Sequence, residues 1–510
     1  MSMRKRLLRA GSAFCLLLLL LGVAARGAKT ADTPQTEKEK NVCRVRMTYP
    51  VYDDACDVTD LKDIEQAVNE ISVEKIGVAV ELVPVNMHEA EKDYLLRLSK
   101  GEALDLMLVR GHDVTTYINK GMLHPMNTYL KRNASYLYFQ DGALDGAYGK
   151  QTQQGRLYGI ANIPRMPVHG YGLWVSSAVL AEVGVKYEEG HVYSLDELTR
   201  IFGRLKRKYP DSYPLGQITA RRTSSGAGIY VDLGDALGAD MLTGVVKNES
   251  DVVENPFASE EYYEFLSYME SWYENEYIYP DSVTYDSVIA PLLEENMILS
   301  YPGVGNPGMF DLMMGEATDF VCLQTAPARE TDAGEADFWT IPSTSRYPAE
   351  AMKFLDLCYS DIRIVYLLNY GIVGRHYEIA DKEDSWARPV MGEGRVGNGF
   401  YNPFAGIGNC RMLCGMGMRR DREKEKTYVE RALDKGNRYE GFVYETAAVS
   451  GEMDEVRKVV ATYVPVLESG SVDLDENYQD FLTALEEAGI DRIIADKQRQ
   501  LDEWLERHGE

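Results

Sequence analysis

The sequence predicts a two-lobed α/β fold on three observations. Short apolar strands alternate with amphipathic helices from Cys43 onward, the pattern of sheets flanked by helices. The same alternation resumes after an extended segment, residues 157–175, that Pro164 and Pro167 interrupt. The 510-residue chain has room for two or three domains. The chain should therefore cross between two lobes at least twice.

The elements follow in order. Val45 and Met47 alternate with Arg44 and Arg46, and Val51 and Tyr52 lead into Asp53 and Asp54, so a strand feeds a polar loop. Residues 61–71 carry apolar side chains at helical spacing. Val78, Val80, Leu82 and Val83 form a second strand, and a helical pattern follows Asn86 through Leu98. Residues 104–109 read as a third strand ending at Gly111-His112-Asp113. This alternation implies parallel strands covered by helices. Beyond the crossing, residues 171–175 are extended. Ser194 and Glu197 have the spacing of a capping box, which predicts a helix to about Lys208. An aromatic-rich helix covers residues 260–273, and a short strand covers 296–301 before Pro302-Gly303. Pro348 suits the first turn of a helix over 348–358. Two helical patterns span 475–507 and break at Gly489. Asn306-Pro307 reads as a turn.

The N-terminus sets the compartment. Arg4, Lys5, Arg6 and Arg9 precede an apolar run with leucine at every position from 16 to 21, and Ala24, Ala25, Gly27 and Ala28 close it. That is the pattern of a secretory signal peptide over residues 1–28. The run is shorter than the roughly 20 apolar residues of a spanning helix. The reading leaves two forms: a cleaved, secreted protein, or one held at the outer face of the cell membrane. Residues 29–42, polar and without apolar periodicity, form a tether. The formal charge is −26 and grows more negative when the leader leaves, which argues against binding nucleic acid phosphates. Cys15 lies inside the apolar run, so it is not placed as a lipid-accepting cysteine. Cys410 and Cys414 lack both redox-motif spacing and flanking histidines, and read as buried thiols.

No assembled catalytic set appears. The chain lacks a Gly-x-Ser-x-Gly elbow, a His-Glu-x-x-His pair and a phosphate loop. Residues 473–480 have acidic spacing but no turning glycine, and read as a helix start rather than a calcium loop. No cofactor and no metal is expected. Tyr, Trp and Phe together make 10% of the chain, enough to supply faces for stacking on sugars or peptide side chains. Tyr52, Trp174, Tyr301 and Tyr401 sit where strands are expected to end, the usual ligand side of an open parallel sheet. Asp53, His112 and Arg165 are the polar candidates beside them. Each of these tyrosines has core packing as its alternative role.

Several segments resemble one family. Leu104-Asp-Leu-Met-Leu-Val109 and Tyr117-Ile-Asn-Lys-Gly-Met-Leu-His-Pro-Met126 resemble the third strand, and the helix and turn after it, of the family 1 extracellular solute-binding proteins, the maltodextrin-binding-like group of ABC importers. Leu157-Tyr-Gly-Ile160 resembles the first crossing of that group. Residues 343–355 are similar to its Ser-x-x-Pro-x-x-Ala-x-x-Phe-Leu helix entry. Leu367-Leu-Asn-Tyr-Gly-Ile-Val-Gly-Arg-His-Tyr377, Gly441-Phe-Val-Tyr444 and residues 473–504 resemble a Gram-positive subfamily with a C-terminal domain of unknown function. Val373 departs from the glutamate usual there, and the leader lacks the lipid-accepting cysteine.

The resemblance implies a type II periplasmic-binding-protein-like fold with mixed sheets and an interlobe cleft. Lobe 1 would use residues 43–160 and about 310–375. Lobe 2 and the C-terminal helical region would use 165–305 and about 376–510. It implies a monomer without enzymatic activity that captures a solute, a carbohydrate in the first instance, for an ABC transporter permease. The alternatives are a binder of peptides or other small polar solutes, and a secreted glycoside hydrolase, which would need two carboxylates across the cleft.

Overall fold

The computed structural model describes residues 42–508 except 53–55, 88, 140–149, 165–167, 220–224, 232, 234–243, 247–249, 286–288, 306–318, 327, 331–335, 382–385, 393–397, 403–404, 417–425, 428, 431–438, 440–441 and 443. The leader, nearly all of the tether, Asp53, Arg165 and the turn at Asn306-Pro307 lie outside the described residues, as does the side chain of His112.

The chain enters through β1 (Cys43–Val51), whose Val45, Met47 and Tyr49 are fully buried on one face. α1 (Leu61–Ile76) buries Leu61, Ile64, Val68 and Ile71, one side of a 3.6-residue repeat, and ends at Gly77 in the left-handed region. β2 (Val78–Asn86) then pairs in parallel with β1, Cys43 opposite Val78. α2 (Ala90–Ser99) leads to β3 (Met107–Arg110), tied to β1 by a parallel bridge between Leu106 and Met47. Gly111-His112-Asp113, where the third strand was expected to end, forms the first turn of α3 (Gly111–Asn119). After α4 (Asn127–Asn133) and α5 (Ser135–Phe139) comes a hairpin, β4 (Lys150–Gln153) and β5 (Arg156–Ala161). Its two turn residues, Gln154 and Gly155, both have positive φ, the geometry that suits the twist of a tight hairpin.

β6 (Val168–His169) carries the chain across. β7 (Tyr171–Ser176) is the centre of a three-stranded antiparallel sheet. α6 (Ser177–Glu182) is capped by Ser176, and α7 (Leu195–Lys208) begins with the expected capping box: Ser194 Oγ accepts from the Glu197 N–H and the Glu197 carboxylate from the Ser194 N–H. A short pair, β8 (Val245–Val246) and β9 (Val253–Glu254), precedes α8 (Glu260–Glu274) and α9 (Ala290–Glu294). β10 (Ser300–Val304) and β11 (Phe320–Gln324) flank β7. The strand expected over 296–301 is thus displaced. Pro302 stands inside β10, which is tolerated because β10 is an edge strand and needs no inward N–H there.

β12 (Arg329–Glu330) returns beside β6 in antiparallel register. β13 (Asp337–Thr340) inserts between β3 and β5, antiparallel to both, which makes this sheet mixed rather than purely parallel. α10 (Pro348–Ser360) starts at its proline, and α11 (Ile362–Tyr370) is capped by Asp361. β14 (Tyr377–Asp381), β15 (Trp386–Pro389) and β16 (Gly415–Met416) form a small sheet. α12 (Ser450–Glu468), α13 (Leu474–Ala488) and α14 (Ile490–His508) close the chain, with Gly489 at φ 96° between the last two. Among the described residues no helix is long and apolar enough to cross a membrane.

The fold is two-lobed. One core joins Val45 through Ile163 with Phe338 through Leu368 and with Phe400, Ala405 and Ile407. The other joins Leu173 through Leu299 with Leu323 and with Val449 through Ile493. The expected boundaries need correction on two points. Phe400, Ala405 and Ile407 pack in the first core, although residues from about 376 were expected in lobe 2. Residues 320–324, expected in lobe 1, hydrogen-bond to β7 in the second. Strand pairing and side-chain packing with distant segments decide both.

Candidate functional site

The first lobe presents the carboxyl-terminal ends of its strands. Tyr52, just past β1 and half-buried, donates a short hydrogen bond from its hydroxyl to the Asp337 carboxylate at the start of β13. Burial and then the neighbouring carboxylate push the Tyr52 hydroxyl well above its ordinary pKa, so it stays a neutral donor. Asp337 stands opposite Arg110, the last residue of β3, immediately before α3. At the end of β5, Asn162 Oδ1 accepts from the Trp339 indole at 2.8 Å and the Gly408 N–H at 2.7 Å. Tyr401 joins the same lobe through reciprocal main-chain hydrogen bonds with Asp57 at 2.7 and 2.8 Å. Its neighbour Asn402 donates to the Pro50 carbonyl at 2.7 Å.

In the second lobe Trp174 and Tyr301 are direct cross-strand partners on β7 and β10. Neither sits at a strand's carboxyl-terminal end: Trp174 lies inside β7 and Tyr301 is the second residue of β10. They are 6% and 5% exposed. The pleat explains this burial. Leu173, Val175 and Leu323 face the main core, while Trp174 and Tyr301 turn to the opposite face and pack with Tyr279, Leu292, Ile298 and Cys322. The Trp174 indole donates to the Val304 carbonyl at 3.0 Å. A side chain on Gly303 would meet the Trp174 ring at 3.2 Å, so the glycine lets the indole lie over β10. Burial pushes the Cys322 thiol up to about 12.

The lobes meet along a polar seam. Arg457 of α12 donates to Thr116 Oγ1 of α3 at 3.0 Å. Asp454 lies 4.0 Å from Lys120. The Gln154 N–H of the β4–β5 turn donates to Glu445 Oε1 at 2.7 Å. The structure therefore gathers Tyr52 and Tyr401 in one lobe and Trp174 and Tyr301 in the other. Sequence reasoning missed Asp337, Thr116, Glu445 and Arg457. The helix that carries Arg457 was legible in Met453, Val456, Val460, Val464 and Leu467, spaced three or four apart. Nothing local marks Asp337, whose partner Tyr52 is 285 positions away. Burial raises the pKa of Asp356, whose carboxylate accepts the main-chain N–H groups of Tyr136 and Leu137 at the start of α5.

Comparison with known proteins adds to this geometry. A family model described as bacterial extracellular solute-binding protein matches residues 59–362. Another, described as a domain of unknown function (DUF3502), matches residues 438–506. The chain is 23% identical over 511 residues to a carbohydrate ABC transporter substrate-binding protein of Streptococcus pneumoniae serotype 4, covering 96% of each chain. Among solved structures it is similar to the N-glycan transport solute binding protein NgtS of Streptococcus pneumoniae in complex with Man5GlcNAc. The TM-score is 0.73 at 20% identity, covering 92% of this chain and 100% of that one. It is also similar to the alginate-binding protein AlgQ2 without calcium ion, with a TM-score of 0.62 at 15% identity, covering 92% of this chain and 100% of that one. At these identities the structural likeness speaks for the fold.

Proposed function

The chain belongs to the family of bacterial extracellular solute-binding proteins, and from that premise we propose that it captures an oligosaccharide outside the cytoplasm and delivers it unchanged to an ABC transporter permease. The observation that carries this reading is the separation of two hydrophobic cores by a polar seam. Polar contacts such as Arg457 to Thr116 can be exchanged for water at small net cost, so the lobes can part. A solute held between them shifts the population toward the closed form by its differential affinity for that form. The carbohydrate ABC transporter relative and the N-glycan-binding neighbour support a sugar as the solute.

The protein acts as a monomer, secreted or held at the outer face of the membrane. Tyr52, Asp53 and His112 on the first lobe, Arg165 at the crossing, Tyr401, and the Trp174–Tyr301 pair on the second are the candidate contacts. Trp174 and Tyr301, being 6% and 5% exposed, act by their rims or as backing for neighbours nearer the solute. No covalent step is part of this function.

A thermal-shift panel tests the reading, with Man5GlcNAc, alginate oligosaccharides, maltodextrins and short peptides as probes. A binder present at 100 times its Kd should stabilise the fold by about 2.7 kcal/mol. An oligosaccharide that raises the Tm and is recovered intact by mass spectrometry supports the reading. Stabilisation by peptides alone overturns the sugar. Turnover of the sugar, abolished by replacing one carboxylate, would favour the glycoside hydrolase.

A further inference from the structure

A cavity of about 420 Å³ lies where α14, the segment before α12 and the β4–β5 turn of the first lobe come together. Trp504, Phe442, Arg499, Arg507, Glu445 and Gln154 line it. Its volume falls within the roughly 300–1,000 Å³ of small-molecule pockets. We propose that it is a remote subsite for one further sugar ring of an oligosaccharide held at the seam. The inference rests on the oligosaccharide reading above.

The walls are built in advance. α14 buries Ile493, Lys497 and Leu501 on one face and gives Arg499, Gln500, Glu503, Trp504 and Arg507 to the cavity from the adjoining one. Gln500 holds the opposite wall twice: its Oε1 accepts the Glu445 N–H and its Nε2 donates to the Glu445 carbonyl, both at 2.9 Å. Trp504 is half-buried, stacked on His508 at 4.8 Å and set edge-on to Phe442 at 6.0 Å, so the ring is fixed before any ligand arrives.

The chemistry selects the occupant. Two arginines and two glutamates line the cavity, so the lining charges balance in a chain of net charge −26. Arg499 already pairs with Glu503 at 2.7 Å and Asp496 at 2.8 Å. An anion would compete with those carboxylates for Arg499, whereas a neutral ring of hydroxyls can share both the donors and the acceptors. Phe442 is buried and backs Trp504, whose half-exposed indole offers the apolar surface on which the face of a sugar ring packs.

Position ties the cavity to the seam. The turn at residues 446–449 supplies Ala447 and Ala448 to the wall and packs against α3. Gln154, from the other lobe, reaches the rim in a left-handed backbone conformation, and its N–H is held by Glu445. A ring lodged there would feel the position of both lobes.

Calorimetry with Man5GlcNAc and Man1GlcNAc on the full mature chain tests this. Trp504→Ala should weaken Man5GlcNAc by about tenfold and leave Man1GlcNAc unchanged. Arg507→Gln, at an exposed position, should weaken Man5GlcNAc severalfold without moving the Tm. If both variants bind both glycans as the unaltered protein does, the subsite is overturned and the oligosaccharide reading stands. Equal loss for both glycans makes Trp504 a structural residue and likewise overturns the subsite. Failure of the unaltered protein to bind either glycan overturns the reading on which the inference rests.

Discussion

Asp361 in the first lobe and Glu468 in the second are both buried carboxylates, and the contacts that the described residues make to them differ in kind. Asp361 accepts from the Arg363 main chain at 3.0 Å and guanidinium at 2.8 Å, and from Lys75 at 2.7 Å. Burial by itself would raise its pKa, but the hydrogen bonds from Arg363 and Lys75 hold it at about 2. Glu468 is fully buried, and among the described residues it accepts from the Ser225 hydroxyl, the Gly226 N–H at 2.8 Å and the Tyr262 hydroxyl at 3.4 Å. Burial and the nearby Glu468 push the Tyr262 hydroxyl well above its usual pKa, which keeps it a donor. The cationic solution staples α1 to the cap of α11 and depends on pH through the carboxylate. The contacts of Glu468 fasten α12 to α8 and to the 225–226 segment.

The largest effect should come from the Glu468 site. Glu468→Ala strands the buried Tyr262 hydroxyl and the half-buried donors of Ser225 and Gly226, and should cost about 3 kcal/mol in urea unfolding. Glu468→Gln keeps an acceptor and should recover part of that loss. Equal destabilisation by the two substitutions would show that the charge, rather than the acceptor geometry, matters.

Asp361→Asn should cost about 2 kcal/mol at neutral pH, because the folded pKa of about 2 lies below the unfolded value of about 3.9. A depressed carboxylate pKa contributes stability that is present above pH 4 and is lost as pH falls through 2. The unfolding free energies of the variant and the parent should therefore converge on acidification across that window. A gap that persists at pH 2 would contradict the ionic account.

Asn162→Ala offers a neutral case in the first lobe. It removes the acceptor of both the Trp339 indole and the Gly408 N–H and should cost about 1–2 kcal/mol by chemical denaturation. No loss would mean that water replaces the amide.

The smallest effect concerns Cys322, whose raised pKa of about 12 comes from burial alone. The native protein should leave Cys322 unalkylated by iodoacetamide at pH 8, while the unfolded chain reacts. Rapid labelling of the native form, read by peptide mass spectrometry, would show that the partial exposure of Cys322 outweighs its raised pKa.

Much of the fold was legible along the chain because its causes are local. The α1 repeat, the Ser194–Glu197 box, Pro348 at the head of α10 and Gly489 between α13 and α14 act within a turn or two of themselves. The helix α12 was equally local and was overlooked, with Pro465 inside its pattern. The strand positions of the candidate contacts were legible in part. Tyr52 falls just past the end of β1 and Trp174 lies inside β7, which ends one residue beyond the expected 171–175, whereas Tyr301 lies near the start of β10, a strand expected over 296–301.

The sequence by itself determined much of the order of strands and helices and the caps that bound them. Only the tertiary structure decided that β13 enters between β3 and β5, that Phe400 to Ile407 return to the first core, and that Tyr52 meets Asp337. It also set Trp174 against Tyr301. Periodicity and capping are read over a few residues, whereas pairing between residues more than a hundred apart depends on which buried surfaces fit together once the loops have closed.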